Sequence, residues 1–321
     1  MTPLRAGVIG VGHLGQHHAR LYAASTDSIL VGVLDKDPDR AQIVADRFGT
    51  KRFDCLADLL NEVEIVSVAV PTTAHYSVAK ACLESGKHVL VEKPIAVASA
   101  EAQELVDLAD TKGCRLQIGH SERFNPILQL MRPHITRPAF IEGHRLASYS
   151  ERGTDVDVVL DLMIHDLDLV LSFNPGPVEE VRAAGVPVFS KTIDIANARI
   201  QFRSGCVANL TASRVSLNKM RRLRFFQRDS YLSMDFQTRH GFIGRRSSEQ
   251  VPNPGFAIEE FKGDESEPLK LQLESFLHAV RTGAHPAVSG EEGTAALTLA
   301  HQVLAAIDSF VQRHAGEGAT G

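Results

Sequence analysis

The sequence predicts an α/β protein in two parts, an N-terminal doubly wound parallel sheet and a C-terminal α/β domain with an open, largely antiparallel sheet. Three observations predict it. Short β-branched runs alternate with helical stretches from Leu4 to Gly119, two of those runs are apolar without alternation, and beyond about Arg123 consecutive strand-like segments replace the alternating helices. Parallel strands need crossover connections, a helix is the usual crossover, and its right-handed preference gives the doubly wound arrangement.

In order, residues 6–9 read as a strand and 14–24 as a helix, and the pair repeats as 30–34 with 38–48, 65–70 with 74–84, and 88–91 with 98–112, before 116–118 closes the series. Segments 65–70 and 88–91 lack polar alternation, which places them mid-sheet with both faces covered. A Pro-punctuated helix follows at 125–133, then a strand at 139–147 and a strongly apolar helix near 158–171. Strand candidates come next at 178–188, 195–202, 206–214 and 223–227, and Arg203-Ser204-Gly205 between two of them signals a hairpin and antiparallel pairing. Residues 262–268 are charged and carry Gly263 and Pro268, the marks of a mobile loop, and 269–281 and 293–313 have apolar positions at helical spacing.

At 321 residues the chain is expected to form two domains, 1–122 and 123–321, and 44% apolar with 23% charged residues suffices for a core in each. The net charge of −5 offers no general attraction for nucleic acid or an anionic membrane. No apolar run approaches the roughly 18–20 residues that span a bilayer. The first strand follows the N-terminus without the pattern of a secretory leader, so the cytoplasm is the expected compartment. Cys55, Cys82, Cys114 and Cys206 are scattered without a CxxC pair and read as reduced, small apolar residues.

Gly10-Val11-Gly12-His13-Leu14-Gly15 follows the first strand and opens the first helix, and Asp35 ends the second strand twenty residues beyond Gly15. That context makes the glycine pattern a Rossmann dinucleotide-binding turn. Gly10 permits the tight turn, Gly12 lets a pyrophosphate approach the amides of His13 and Leu14, and Gly15 lets the helix pack on the strand. Asp35 would accept hydrogen bonds from the adenosine ribose and repel a 2′-phosphate, which favours NAD over NADP. Lys36 and Arg40 lie nearby, either as cations facing the ribose or as solvated charges at a helix start. His13 and His17 have helical ligand spacing, but no third ligand accompanies them and no metal site is expected; His18 reads as a surface residue.

In such a sheet, ligands bind beyond the carboxyl ends of the strands. The candidates there are Pro71, Thr72 and His75, then Glu92-Lys93-Pro94, and Gly119-His120 leading to Arg123. Pro94 biases Lys93 away from helical torsions, which would aim the lysine at a ligand. Farther on, ten of the fourteen residues of 158–171 are apolar, so the polar exceptions matter. Asp161 and His165 are four apart, Asp168 is seven from Asp161, and Asp157 extends the stripe, so all share one face of a regular helix. The stripe either lines a polar cavity or forms an internal network; Asp166 and Asp168 read as structural partners of backbone or arginine.

The order and spacing of Gly10-x-Gly12-x-x-Gly15, Glu92-Lys93-Pro94 and Asp161-x-x-x-His165 resemble the Gfo/Idh/MocA oxidoreductases over essentially the whole chain. The resemblance implies a nicotinamide cofactor on the N-terminal domain and a homodimer or homotetramer formed through the C-terminal sheet. It also implies that Lys93, Asp161 and His165 handle a substrate hydroxyl. Either His165 or Lys93 would be the base. The family's Gly-Gly pair before the aspartate is replaced here by Asp157-Val158-Val159-Leu160, a departure that bears on the substrate. More narrowly, residues 155–168, 194–199 and 206–214 are similar to bacterial UDP-N-acetylglucosamine 3-dehydrogenases, which act before an aminotransferase in lipid A synthesis. A nucleotide-sugar substrate is therefore expected. The alternatives are another sugar, an inositol-like polyol or a UDP-sugar uronate, and, in a different class, a non-catalytic NAD-binding sensor. Arg214, Lys219, Arg221, Arg222, Arg224 and Arg228 form a cationic cluster that either meets a substrate diphosphate, with Arg214 the candidate, or is a solvated strand edge balanced by residues 259–267. Arg152, just before the Asp161/His165 helix, is by its position the better candidate for the substrate anion.

Overall fold

The computed structural model describes residues 2–149, 156–246 and 256–315. In chain order the first elements are β1 (Leu4–Ile9), α1 (Gly15–Ala24), β2 (Ser28–Leu34), α2 (Pro38–Phe48), β3 (Lys51–Arg52), α3 (Leu56–Glu62), β4 (Ile65–Val68), α4 (His75–Glu84), β5 (His88–Val91), α5 (Ser99–Lys112) and β6 (Leu116–Ile118). They are followed by α6 (Pro126–Met131), β7 (Phe140–Leu146), a π-helical segment (Val159–Met163), α7 (Ile164–Ser172), β8 (Val178–Val186), β9 (Ile195–Phe202), β10 (Val207–Ser213), β11 (Met220–Phe226), β12 (Ser230–Asp235), β13 (His240–Arg246), β14 (Phe256–Lys262), α8 (Pro268–Thr282) and α9 (Gly290–Ala315). Among the described residues no helix is long and apolar enough to cross a membrane.

Packing divides the chain into two compact units: residues 1–121 with 267–297, and residues 122–266 with those from 298 onward. A single cut at 122/123 assigns 267–297 to the second part, whereas the structure packs them on the first. The reason is hydrophobic: Leu273, Phe276 and Leu277 of α8 join the core of Ala19, Tyr22, Leu30 and Leu90.

In the first unit the six strands are ordered β3-β2-β1-β4-β5-β6, all parallel, so β1 and β4 flank the point where the strand order reverses. The mid-sheet expectation holds: every residue of β4 is buried. Local chemistry sets the helix ends. The Asp37 side chain caps α2 by accepting from the Arg40 amide at 3.1 Å, Pro38 opens the helix, and Gly49 closes it at φ +63°. β3 and α3 escape sequence reading because two and seven residues carry too little periodicity.

The second unit is built on an eight-stranded sheet, β14-β13-β12-β11-β7-β10-β9-β8, in which β7 and β10 are parallel and every other pair is antiparallel. Alternation on β7 buries Ile141, Gly143 and Arg145 on one face. Three of these strands, β12 to β14, go beyond the candidates read from sequence; the glycines of β13 and the short polar run of β12 obscure their pattern. The β12–β13 turn is organised by Asp235, whose Oδ1 accepts from the amides of Gln237 and Thr238 at 3.0 Å each. The charged loop after β14 is held in place, with Gly263 N–H donating to Arg239 O at 2.8 Å and Arg239 pairing with Glu265 at 3.1 Å.

Candidate active site

At the end of β1 the chain turns at Gly10 with φ +82°, and the Gly10 amide donates to Leu34 O at 2.8 Å. A Cβ on Gly10 would lie 2.7 Å from the backbone of Ala69 and Val70, and one on Gly15 would lie 1.8 Å from Gly10 O. These two glycines are therefore demanded by the fold. Gly12 differs: a Cβ there meets only Arg40 Nη1, at 3.7 Å. It faces a cavity of about 640 Å³ lined by Gly10, Gly12, His13, Asp35, Arg40 and Pro71. His13 and Leu14 are exposed, and Leu14 supplies no side-chain cap to α1. The first turn of α1 thus offers backbone donors and the positive end of its dipole to an anion. A dinucleotide pyrophosphate fits this cradle.

Asp35 lines this cavity. Its Oδ2 accepts from the Val11 amide at 2.8 Å and its Oδ1 from the Asp37 amide at 2.9 Å, so the carboxylate also fixes the glycine turn. Arg40 is tied to Asp37 at 2.8 Å, with Nη1 4.0 Å from Asp35, while Lys36 is exposed at the cavity rim.

The residues beyond β4 and β5 sort differently from expectation. Pro71 lines the cavity, but Thr73 rather than Thr72 lies beside it. His75, expected to meet the cofactor, is buried, with Nδ1 2.7 Å from Pro94 O and Nε2 2.9 Å from Val70 O. It ties together the chain beyond two strands, and burial pushes its ring below the ordinary histidine value against the pull of those carbonyls. Lys93 is half-buried and precedes a cis peptide bond to Pro94. Glu92 turns inward, its Oε1 2.9 Å from His18 Nε2, and His18 is fully buried rather than on the surface.

In the second unit Asp161 and His165 are both half-buried, but the helix that carries them is not regular. Residues 159–163 are π-helical and α7 starts at Ile164, so the wider turn breaks the single stripe read from i, i+4 and i+7 spacing. The approach to this segment is anchored. Ile193 N–H donates to Asp157 Oδ1 at 2.9 Å, Val158 N–H to Ile193 O at 3.0 Å, and Arg214 Nη1 to Val156 O at 2.7 Å. Arg214, expected to meet a substrate anion, is buried and bonds Asp194 Oδ1 through Nε at 2.7 Å; its guanidinium organises this corner from within. Asp194 Oδ2 in turn accepts from the amides of Val188, Phe189 and Ser190 at 2.7–2.8 Å.

Beyond the π segment, α7 is held by ion pairs. Arg145, inward-facing on β7, bonds Asp166 at 2.8 and 3.1 Å and Glu122 at 2.9 Å. Burial pushes the Glu122 carboxyl up, but Arg145, Arg221 and Asn125 outweigh it and hold it below the ordinary value. Arg123, expected near the cofactor, is buried and grips Asp168 with Nε and Nη2 at 2.7 and 2.8 Å. The structural reading of Asp166 and Asp168 is thereby met. In the cationic cluster Arg222 pairs with Asp235 and Arg224 with Glu142, each across adjacent strands, while Arg221 reaches Glu122 at 3.4 Å. These partners replace residues 259–267, among which Glu259 and Glu265 pair instead with Arg245 and Arg239. Arg152 lies outside the described residues.

Residues 4–120 match the model of an oxidoreductase family with an NAD-binding Rossmann fold, Gfo/Idh/MocA, and residues 131–229 match the Gfo/Idh/MocA C-terminal domain. The chain is 38% identical to UDP-N-acetylglucosamine 3-dehydrogenase of Acidithiobacillus ferrooxidans, over 98% of this chain and all of that one. The chain belongs to the Gfo/Idh/MocA family of oxidoreductases. A solved structure of that Acidithiobacillus enzyme superposes with a TM-score of 0.92, covering 97% of this chain. Myo-inositol 2-dehydrogenase of Thermotoga maritima is 26% identical over 93% of this chain and 94% of that one. Levoglucosan dehydrogenase, solved with NADH and levoglucosan, shares the fold at a TM-score of 0.85 and 17% identity, covering 96% of this chain and 98% of that one. As a member of this family the chain is a dehydrogenase, and its first unit is a nicotinamide-cofactor domain.

Proposed function

We propose that this chain oxidises a secondary hydroxyl of a nucleotide sugar, the 3-hydroxyl of UDP-N-acetylglucosamine, to the 3-keto sugar with NAD, as a step toward the amino sugar of lipid A. The observation that carries this reading is the 38% identity with the Acidithiobacillus enzyme across the full length of both chains. A bound nicotinamide supplies the acceptor for the carbinol hydride. His165 takes the hydroxyl proton, Asp161 orients its ring, and Lys93 hydrogen-bonds the reacting oxygen and stabilises the negative charge that develops there.

NAD rather than NADP is supported by Asp35. Two amides hold its carboxylate in place, and a fixed negative charge at the adenosine ribose repels a 2′-phosphate. Arg40, already bonded to Asp37, answers that phosphate less well than an unengaged cation would.

The test is spectrophotometric: NADH formation from NAD with UDP-N-acetylglucosamine, with an aminotransferase added to remove the keto sugar. In the same assay Lys93→Met and His165→Ala lower kcat by roughly a hundredfold or more at retained NAD affinity; wild-type turnover in either refutes the assignment. The Thermotoga relative supports a second reading, an inositol-like polyol, so myo-inositol belongs in the substrate panel. Tight NAD binding with no turnover on any panel member would favour a sensor.

Self-association through the eight-stranded sheet is part of the proposal. Phe140, Phe226, Tyr231 and Phe242 form a partly exposed aromatic stripe across β7, β11, β12 and β13, with ring centroids 5.7, 4.9 and 5.5 Å apart in turn. Light scattering of the wild type and of Phe226→Glu reads the oligomeric state.

A further inference from the structure

Ending at Glu92, next to Lys93 in sequence, the first unit contains a buried hydrogen-bonded chain. Tyr22 OH lies 2.9 Å from Ser67 Oγ, Ser67 Oγ 3.0 Å from His18 Nδ1, and His18 Nε2 2.9 Å from Glu92 Oε1. Tyr22, Ser67 and His18 have no exposed surface, and Glu92 retains 7%. The four residues come from α1 (His18 and Tyr22), β4 (Ser67) and the position directly after β5 (Glu92).

The chemistry of the partners orders the protons. An ionised carboxylate only accepts, so His18 Nε2 carries a proton. In a neutral ring Nδ1 then accepts from the Ser67 hydroxyl, and Ser67 Oγ accepts from Tyr22 O–H. Every donor points the same way, toward Glu92. A doubly protonated ring would donate to Ser67 instead, and the serine oxygen would then accept from both ring and phenol, leaving its own proton without an acceptor within this chain.

The space for the carboxylate is also shaped. A Cβ on Gly119, at the end of β6, would lie 2.8 Å from Glu92 Oε2 and 2.9 Å from Glu92 Cα, so a larger residue there would displace the side chain. The charged and titratable groups that act on Glu92 are His18 from α1, Lys93 beside it and His75 from α4. Burial pushes the Glu92 carboxyl up, but the His18 hydrogen bond and these three neighbours outweigh it and hold the group below its ordinary value.

We propose that His18, acting through Glu92, is a positioning residue for Lys93: the buried chain fixes an ionised carboxylate beside the lysine and anchors its ammonium as the hydrogen-bond donor to the reacting oxygen. The inference rests on the reading of Lys93 given under Proposed function.

The experiment compares kcat, KM for NAD and the pH dependence of kcat in the full chain with UDP-N-acetylglucosamine, for the wild type, Glu92→Gln, His18→Leu, His18→Gln and Lys93→Met. Glu92→Gln keeps the shape and removes the charge. His18→Leu removes the donor, whereas His18→Gln can restore a donor to Glu92. The expected result is a fall in kcat of roughly tenfold or more in Glu92→Gln and His18→Leu, with a pH profile moved by about half a unit or more toward lower pH. KM for NAD stays within about threefold, and His18→Gln recovers most of the loss. A lowered kcat with an unmoved pH profile, in variants that keep the wild-type melting temperature, overturns the inference and leaves the chain as a structural prop. If His18→Leu does not fold, Glu92→Gln decides by the same criterion. An inactive Lys93→Met beside unmoved profiles overturns this inference alone, whereas wild-type turnover in Lys93→Met overturns the reading beneath it.

Discussion

The same substitution at two neighbouring glycines should separate cofactor binding from folding. At Gly12 a methyl group meets only Arg40 Nη1 at 3.7 Å, an ordinary contact with the end of a flexible side chain. Replacing glycine where the backbone tolerates it reduces the freedom of the unfolded chain, so Gly12→Ala should melt no lower than the wild type and gain up to about 1 kcal/mol. In the proposed binding mode the methyl nonetheless stands where the pyrophosphate would approach the amides of His13 and Leu14. Affinity for NADH should fall at least roughly tenfold, about 1.4 kcal/mol. At Gly15 the Cβ would sit 1.8 Å from Gly10 O, and Gly10 is itself held by its φ of +82° and its 2.8 Å bond to Leu34 O. Either α1 or the turn must move, at a cost of about 3 kcal/mol. For a chain of this size that lowers Tm by roughly 4 °C. Titration of NADH fluorescence reads the first effect, in a chain that has no Trp to interfere, and a thermal melt followed by circular dichroism reads the second. Wild-type NADH affinity in Gly12→Ala, or equal losses of Tm in both variants, would refute the reasoning.

Other consequences follow from the charged groups. Asp35→Ser should narrow the proposed preference for NAD over NADP, measured as the ratio of kcat/KM values, by roughly tenfold, because it removes the fixed charge and releases Arg40 from a carboxylate 4.0 Å away. Arg145→Met leaves Glu122 and Asp166 buried without their shared cation and should cost about 3–5 kcal/mol in urea unfolding; a loss below about 1 kcal/mol would contradict the geometry. Asp194 gives a pH dependence of known sign. Burial pushes its carboxyl up, but the Ser190 amide and hydroxyl, Arg214 and the Val188 amide together hold it far below the ordinary value. The unfolded chain therefore takes up this proton first: the stabilisation is complete above about pH 5 and is lost as pH falls through about 4 toward the folded value. Asp194→Asn should be less stable at neutral pH and show a shallower decline between about pH 5 and pH 3 than the wild type, and parallel declines would exclude the assignment.

Much of this was legible in local pattern. The strand–helix alternation, the glycine turn and Asp35 announce themselves because a parallel sheet imposes period and connection length on contiguous residues, and the phosphate turn needs its glycines at fixed offsets. Residues 88–91 and 116–118 are strands in the structure with the bounds read from sequence. Elements too short or too polar to carry a period, such as β3, α3 and β12, were not legible. Side chains whose role depends on distant partners also resisted reading. Arg123 and Arg214 are cations near plausible ligand positions in the sequence, yet one grips Asp168, forty-five residues away, and the other Asp194.

His18 makes the division plainest. Three histidines at 13, 17 and 18 look alike along the chain, and only the packing of α1 on β4 turns the third inward to meet Ser67 and Glu92, the first two staying nearer the surface. The helical period records which residues are apolar, and a buried polar residue breaks that record because its burial is stabilised by partners forty-nine and seventy-four residues away. Backbone geometry and cofactor class are thus set by short-range order, whereas the partners of the buried charged and polar groups are chosen by tertiary contact, since a hydrogen bond or ion pair is decided by distance in space.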